Sequence, residues 1–261
     1  MLKAGDGMLL DGVPVHANAR VRAGQVISVT LVEPGASLAE PEDLPVTIVY
    51  RDEDLLVIDK SAPLACQSSS KQPGGALENR LQALFEKEGA SGFLFRPVNR
   101  LDKGTSGLMT VALNAHSQRL LTAQLHTPAF VRDYLAVVAG APNPASGAID
   151  LPIGKADGAT IRREIRPDGK AARTLYETID SKNGLSLVRL RLDTGRTHQI
   201  RVHMQAVGCP VFGDFLYGRE EERLPGRFAL HSAYLSFVHP ATGETLRFSS
   251  PLPDELANLM R

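Results

Sequence analysis

The sequence predicts an α+β fold in which helices flank a mainly antiparallel mixed sheet. Segments typical of strands far outnumber those typical of helices, and the two do not alternate regularly, as a doubly wound parallel sheet would require. The chain has 261 residues, of which 43% are hydrophobic and 22% charged. This composition is typical of a globular protein with a substantial core and excludes a disordered or fibrous protein.

The N-terminal segment is predicted to form short strands and turns before a linker. The β-branched residues of VRAGQVISV favour a strand, and the Asp-Gly pair of LLDGVPV favours a turn. A polar stretch with several prolines, EPGASLAEPEDLP, follows and is typical of a linker. We therefore predict a boundary at Asp43, with residues 1–42 as a short N-terminal segment and linker and residues 43–261 as the main domain.

The elements of the main domain follow from hydrophobic periodicity. The pattern predicts a hairpin in VTIVYRDEDLLVIDK and a helix over Ala76–Glu88. Asn114 is typical of an N-cap and predicts a helix as far as Leu125, whereas Thr197 is predicted to cap a helix over Thr197–Ala206. Further strands are predicted at residues 108–113, 130–140, 172–178, 185–192, 229–237 and 244–248.

The charges balance overall but cluster locally. The chain has 29 basic and 29 acidic residues, which argues against a protein that coats nucleic acid without specificity. Residues 162–173 and 189–201 each carry an excess of three positive charges, which permits a basic face. The chain has neither an apolar run of about 18 residues nor a signal-peptide pattern, so we expect a cytoplasmic protein without a membrane partner. We also expect it to be a monomer.

The densest polar segment is PVNRLDKGTSGLM, at residues 97–109. Its K-G-T-S order does not match a phosphate loop, and Ser106 lacks the final spacer of a G-x-S-x-G nucleophile elbow, which disfavours a serine hydrolase. Arg100 and Asp102 lie side by side if the loop is extended, so the cation would keep the carboxylate ionised. A loop closed by a structural Arg–Asp ion pair is an equal alternative.

A second polar segment spans residues 189–218. His198 and His203 are separated by about 140° around the predicted helix, so they cannot share a metal ion, and we expect no metal site. Arg196 and Arg201 lie near the start of this helix, where free backbone N–H groups favour anions. This arrangement suits a phosphate or a catalytic carboxylate; the alternative is a surface helix with ion pairs.

With these segments in place, residues 45–253 resemble a pseudouridine synthase of the RluA type. NRLDKGTSGLMTVA resembles the catalytic motif HRLDxxTSGLLLxA, and FVRDYLAVVAG resembles the strand motif KxYxAxVxG. Three more motifs follow in the family's order: GKAARTLYE, LDTGRTHQIRVHMQAVGCPVFGDFLYG and FALHSAYLSFVHPATGETLRF. The resemblance implies the pseudouridine synthase fold and isomerisation of a specific uridine in structured RNA, either rRNA or tRNA, without a cofactor or metal.

The resemblance also implies roles for individual residues. Asp102 matches the catalytic aspartate, Tyr134 the tyrosine that stacks on the target base, and Arg201 the arginine that pairs with the aspartate. Arg100 matches the arginine thought to occupy the place of the flipped nucleotide, and Ile200 an apolar residue of the uracil pocket. We expect three further residues to bind substrate: Arg196, Thr105 and Lys103.

Several positions depart from the family's pattern. Asn99 stands where histidine is usual, and Arg132 and Asp133 stand where Lys-Thr is common. We expect Asp133 to weaken phosphate contact or to alter RNA preference. Residues 7–29 resemble the closing strands of an S4-like RNA-binding module, so residues 1–42 are interpreted as a truncated S4-like segment with its linker.

The chemistry of the reaction agrees with this interpretation. Uracil must leave its N1 linkage, rotate and rejoin the ribose through C5; a carboxylate can assist as a nucleophile, or by stabilising or deprotonating the ribose. A paired base must first be flipped out, which costs a few kcal/mol, and an aromatic stack recovers about 1–3 kcal/mol. A non-catalytic RNA-binding protein that retains the fold is the alternative.

Overall fold

The computed structural model describes residues 7–30, 37, 39–90 and 93–261. The chain divides into two compact units, Met1–Ala36 and Ser37–Arg261. The described part of the first unit is a small antiparallel sheet of order β2-β1-β3, formed by β1 (Met8–Leu10), β2 (Val13–Pro14) and β3 (Ile27–Val29). The Asp-Gly turn predicted between β1 and β2 is present, whereas the S4-like character of this unit stays a prediction.

The larger unit combines strands and a few helices. Its strands, in chain order, are β4 (Thr47–Arg51), β5 (Leu55–Lys60), β6 (Arg96–Pro97), β7 (Ser106–Ala112), β8 (Val131–Ala139), β9 (Ser146–Asp150), β10 (Ile153–Lys155), β11 (Arg163–Ile165), β12 (Arg173–Lys182), β13 (Leu185–Leu192), β14 (Leu230–Val238) and β15 (Thr245–Ser249). Its α-helices are α1 (Leu77–Lys87), α2 (Ala115–Gln124), α3 (Gln199–Ala206) and α4 (Asp254–Ala257). Among the described residues, no helix has the length and hydrophobicity that crossing a bilayer requires.

Ten of these strands form one sheet, which confirms the predicted α+β class. Its main path is β4-β5-β7-β14-β8-β13-β12-β9, with β6 paired to β7 and β15 paired to β14. The pair β7–β14 is parallel and the other pairs are antiparallel. β10 and β11 form a separate antiparallel hairpin. The sheet is therefore mixed but mainly antiparallel, as predicted.

The division between the two units falls before residue 37, ahead of the boundary predicted at Asp43. Glu40 and Glu42 are held by α1 and by the segment that leads into it. Asn79 Nδ2 donates a hydrogen bond to the Glu40 carbonyl at 2.8 Å, and Glu42 Oε1 accepts one from Gly75 N at 2.6 Å. Residues 39–42 therefore belong with the larger unit in the structure.

The three predicted helices are present as α1, α2 and α3, and one of them differs at its N-terminus, whereas α4 was not predicted. Asn114 caps α2 as predicted, because its Oδ1 accepts a hydrogen bond from Ser117 N at 2.8 Å. The prediction that Thr197 caps α3 is wrong: the N-cap is His198, whose backbone is left-handed with φ 59°. The approach to the helix is fixed instead by Gln199 Oε1, which accepts the Arg196 N–H at 2.9 Å.

The centre of the sheet is buried on both faces. Along β5, Leu55 and Val57 pack into one apolar core and Leu56 and Ile58 into the other, as the two-residue period of a strand requires. Every residue of β7 is buried. At Gly107 the neighbouring strand passes so close that an added Cβ would lie 2.3 Å from a backbone oxygen of β14. This rigid centre supports the polar loop that precedes β7.

Candidate active site

A cleft of about 750 Å³ is lined by the loop before β7, by β8, and by α3 with the loop that precedes it. Seven of the eight residues predicted to form the site line this cleft: Asp102, Tyr134, Arg201, Arg100, Ile200, Arg196 and Thr105. The eighth, Lys103, is exposed and lines a neighbouring cavity of about 420 Å³ instead. The structure therefore brings most of the predicted residues together, although they are up to 101 positions apart in the sequence.

Asp102 presents its carboxylate at the meeting point of the two cavities. Its side chain is 27% exposed, and Arg201 Nη1 donates to its Oδ2 at 3.0 Å. A turn fixes the backbone, because Thr105 N donates to the Asp102 carbonyl at 3.0 Å. The cation beside the carboxylate is thus Arg201; within the described part of the chain, Arg100 forms no ion pair, so the predicted side-by-side pair of Arg100 and Asp102 is wrong.

Arg201 is held from behind by a second carboxylate, Asp214. The guanidinium donates to Asp214 through Nε at 2.6 Å and Nη2 at 2.8 Å, and the Asp214 side chain is fully buried. The Phe228 ring lies under the guanidinium, 4.1 Å from Cζ to the ring centroid. Burial opposes the charge of Arg201, but its bonds to the two carboxylates raise its pKa, so it stays charged. Asp214 was not predicted from the sequence, although it lies in the stretch FGDFLYG.

His198 also faces Asp102, a contact that sequence analysis did not predict. Tyr217 OH accepts a hydrogen bond from Arg163 N at 2.8 Å, so its own proton is free to bond His198 Nδ1, also at 2.8 Å. The other ring nitrogen of His198, Nε2, lies 3.9 Å from Asp102 Oδ2. Burial lowers the pKa of His198, which favours the neutral imidazole.

Tyr134 and Ile200 form an apolar part of the cleft next to the carboxylate. They are 5% and 4% exposed and come from β8 and α3. Burial raises the pKa of Tyr134, so the phenol keeps its proton at neutral pH. A flat aromatic ring and a branched aliphatic side chain make a surface that suits a planar pyrimidine.

The rest of the cleft is positively charged. Arg100, Arg132 and Arg196 line it together with Arg201, and Asp102 is the single acidic residue among its described lining residues. Arg132 is 5% exposed, and its Nη2 donates to the Leu125 carbonyl at 3.1 Å. A concave surface with this excess of guanidinium groups attracts phosphates.

Residues 54–206 match the family model described as RNA pseudouridylate synthase. The chain belongs to this family. It is therefore an RNA pseudouridine synthase, an isomerase that acts on uridine in RNA, as the sequence motifs predicted. The predicted alternative, a non-catalytic RNA-binding protein, is not favoured.

Two relatives match this RNA pseudouridine synthase over almost its whole length. The chain is 37% identical over 264 residues to an uncharacterized RNA pseudouridine synthase of Bacillus subtilis, covering 100% of this chain and 92% of the relative. It is also 37% identical to ribosomal large subunit pseudouridine synthase D of Xanthomonas campestris, covering 99% and 81%. The solved structure of human RNA pseudouridylate synthase domain containing 1 matches with a TM-score of 0.65 and 28% identity, covering 84% of this chain and 86% of the human chain.

Two of the departures from the motifs of pseudouridine synthases have structural explanations. Asp133 points to the opposite face of β8 from Tyr134, where it accepts two hydrogen bonds from Arg191 at 2.6 and 2.7 Å. The charge of Asp133 is therefore paired outside the cleft, and the expectation that Asp133 weakens phosphate contact or alters RNA preference stays a prediction. Asn99 is buried, and its Oδ1 accepts a hydrogen bond from Thr110 N at 2.9 Å, which fixes the loop to β7.

Possible metal ligands meet at one place in the described part of this synthase. Asp52, Asp54 and His239 have ligand atoms within 4.8 Å of one another, but they do not line the cleft. Their oxygen and nitrogen atoms are engaged in protein hydrogen bonds, including His239 Nε2 to Asp52 at 2.7 Å and Ser117 Oγ to Asp54 at 2.5 Å. These contacts join the β4–β5 turn to α2 and to the end of β14.

Proposed function

We propose that this enzyme converts a uridine of ribosomal RNA into pseudouridine, with Asp102 as the catalytic carboxylate. The observation that carries the proposal is the pair of Asp102 and Arg201 in the floor of a positively charged cleft. The choice of ribosomal RNA is supported by relatives whose names assign them to the large ribosomal subunit. Transfer RNA is the second candidate substrate.

In the proposed reaction the bond between uracil N1 and ribose C1′ breaks, and the base rotates. C5 then bonds to C1′, the proton on C5 leaves, and N1 gains a proton, so the nucleotide neither gains nor loses atoms. Asp102 assists either by attacking C1′, from which C5 of the rotated base then displaces it, or by removing a proton from the ribose and returning it when C5 bonds to C1′. Both routes need an ionised carboxylate, and the guanidinium of Arg201 stabilises that charge.

Tyr134 and Ile200 are proposed to hold the flipped uracil. Extruding a base from a stacked RNA costs a few kcal/mol. A stack on the Tyr134 ring returns about 1–3 kcal/mol of this cost. The ring is proposed to lie parallel to the uracil while Asp102 faces the ribose, so base binding and chemistry occur at adjoining walls of one cleft.

Mapping pseudouridine in total RNA, with and without this protein, tests the function. We expect one or a few positions of the large-subunit ribosomal RNA to lose pseudouridine when the protein is absent. They should regain it with the wild-type protein and not with an Asp102→Asn variant. Loss confined to transfer RNA would reassign the substrate, and no loss in any RNA would contradict the proposed function.

Replacing Tyr134 tests the proposed stack. Tyr134→Leu keeps an apolar side chain in the core but removes the ring, so we expect kcat/KM for RNA to fall by about 10- to 100-fold. Tyr134→Phe keeps the ring and should stay within a few-fold of the wild type. The measurement is release of tritium from RNA carrying tritium at C5 of uridine. Equal activity of the two variants would refute the stack.

Replacing Arg100 tests phosphate binding in the cleft. Arg100 is exposed and lines the cleft, so we expect Arg100→Ala to weaken RNA binding and to reduce the slope of log K against log salt by about 0.7–0.9. Arg189→Ala is the matched control, because Arg189 pairs with Glu177 outside the cleft. The measurement is a salt titration of binding to ribosomal RNA transcripts. An unchanged slope for Arg100→Ala would exclude a phosphate contact.

A further inference from the structure

The second cavity lies against the same carboxylate as the main cleft. It has a volume of about 420 Å³ and shares Asp102, His198 and Arg201 with the cleft. Its other walls are mainly apolar and include Ile161, from the loop between β10 and β11, and Phe215. Two cavities therefore adjoin Asp102, and the proposed reaction places the substrate in only one of them.

Two apolar side chains that line the second cavity are exposed to solvent. Ile161 is 55% exposed and Phe215 is 52% exposed. The other eight phenylalanines all lie in the described part of the chain, and none of them is exposed to this degree. Exposed apolar groups that converge on a cavity indicate a binding site more than a folding requirement.

The backbone on either side of Phe215 is held by the ion-pair network of the active site. Asp214 Oδ1 accepts hydrogen bonds from Leu216 N at 3.0 Å and Tyr217 N at 3.2 Å, and the Asp214 carbonyl accepts one from Gly218 N at 2.8 Å. The same carboxylate binds Arg201, which binds Asp102. The backbone around Phe215 is thus linked through Asp214 and Arg201 to the proposed catalytic carboxylate.

A target nucleotide held at Asp102 would bring its neighbours near both cavities. If the target ribose lies at Asp102 and its base lies against Tyr134 in the cleft, the RNA chain must leave the ribose in two directions. Arginines line the cleft side, and the exposed cation of Lys103 lines the second cavity. A nucleotide that follows the backbone into this cavity would meet an aromatic face with a cation nearby, the combination that binds single-stranded nucleic acid.

We infer that the second cavity binds the base of a nucleotide adjacent to the target uridine, stacked on Phe215 and packed against Ile161, with Lys103 near its phosphate. The inference rests on the proposed function, because it places the target ribose at Asp102. It assigns to Lys103 a substrate contact in the second cavity, which Arg100, Arg132 and Arg196 do not line. It also makes the neighbouring nucleotide part of what the enzyme recognises.

Steady-state tritium release from unmodified ribosomal RNA transcripts tests the inference. We expect Phe215→Ala to lower kcat/KM about tenfold, mainly through KM, and Phe215→Trp to retain wild-type activity because it keeps an aromatic face. Ile161→Ala should lower kcat/KM about threefold. Its matched control is Ile179→Ala, since Ile179 is 45% exposed on β12 and does not line either cavity. Wild-type kcat/KM for Phe215→Ala, with unchanged thermal unfolding, would overturn the inference.

A second measurement identifies the nucleotide and separates the two proposals. Once the target uridine is mapped, RNAs are made in which its 5′ or its 3′ neighbour lacks the base. We expect one of these RNAs to react equally with wild type and Phe215→Ala, because the stack is already missing. If the tenfold difference persists with both RNAs, Phe215 does not bind an adjacent base. Failure of the wild-type enzyme to release tritium from any RNA would instead contradict the proposed function.

Discussion

Asparagine at position 102 is expected to lower tritium release from RNA by at least about 1000-fold. The amide has the shape of the carboxylate, and its oxygen can still accept the Arg201 hydrogen bond that Asp102 accepts at 3.0 Å. It cannot act as a nucleophile or as a base, so both proposed routes lose their reacting group. Single-turnover tritium release at saturating enzyme measures this chemical step without a contribution from weaker binding.

Binding and folding should survive this substitution. Arg201 keeps its two hydrogen bonds to buried Asp214, so no buried charge is left unpaired in Asp102→Asn. We expect the thermal midpoint and the RNA affinity to stay close to those of the wild type. Asp133→Asn is the matched control: it changes an aspartate that pairs with an arginine outside the cleft, and it should retain activity. If the activity of Asp102→Asn were within tenfold of the control, Asp102 would not be the catalytic carboxylate.

Asp214→Asn is expected to reduce the free energy of unfolding by about 3–5 kcal/mol. The carboxylate is fully buried and accepts bonds from the Arg201 guanidinium and from two backbone N–H groups. The NH₂ group of asparagine at this position would face groups that also donate hydrogen bonds. The Arg201 guanidinium would lose its buried carboxylate partner. Urea denaturation followed by circular dichroism measures the loss.

The control for this experiment is again Asp133→Asn. Asp133 also accepts two hydrogen bonds from one arginine, but this pair is only partly buried, with side-chain exposures of 51% for Arg191 and 14% for Asp133. Solvent screens the charge of Arg191, so we expect Asp133→Asn to cost about 1 kcal/mol, several-fold less than Asp214→Asn. Equal destabilisation by the two substitutions would show that the Asp214–Arg201 pair is not the support that its burial indicates.

The fold was largely predictable because the sequence patterns of single strands and helices agree with how these elements pack in the structure. The period of two in β5, the buried run of β7 and the Asn114 cap are each encoded within a few residues. The start of α3 was not predictable in the same way. Its N-cap conformation places His198 against Tyr217, a partner 19 positions away, and no local rule for capping residues includes that contact.

Only those residues of the candidate site that belong to a family motif could be predicted from the sequence. Asp102, Tyr134 and Arg201 were assigned by resemblance, and they line one cleft as expected. The partner of Arg201 on its buried side, Asp214, was missed because spacing in the sequence does not show which aspartate a folded arginine meets. Lys103 follows Asp102 directly in the sequence, but the turn between Asp102 and Thr105 directs it to the second cavity.

The most direct test of the account is a structure of the Asp102→Asn variant bound to its mapped target RNA. We expect the target uridine to be out of the RNA stack, with its base between Tyr134 and Ile200 and its C1′ in contact with the side chain at position 102. A target uridine that stays stacked in the RNA, or that lies in the complex away from position 102, would contradict the account.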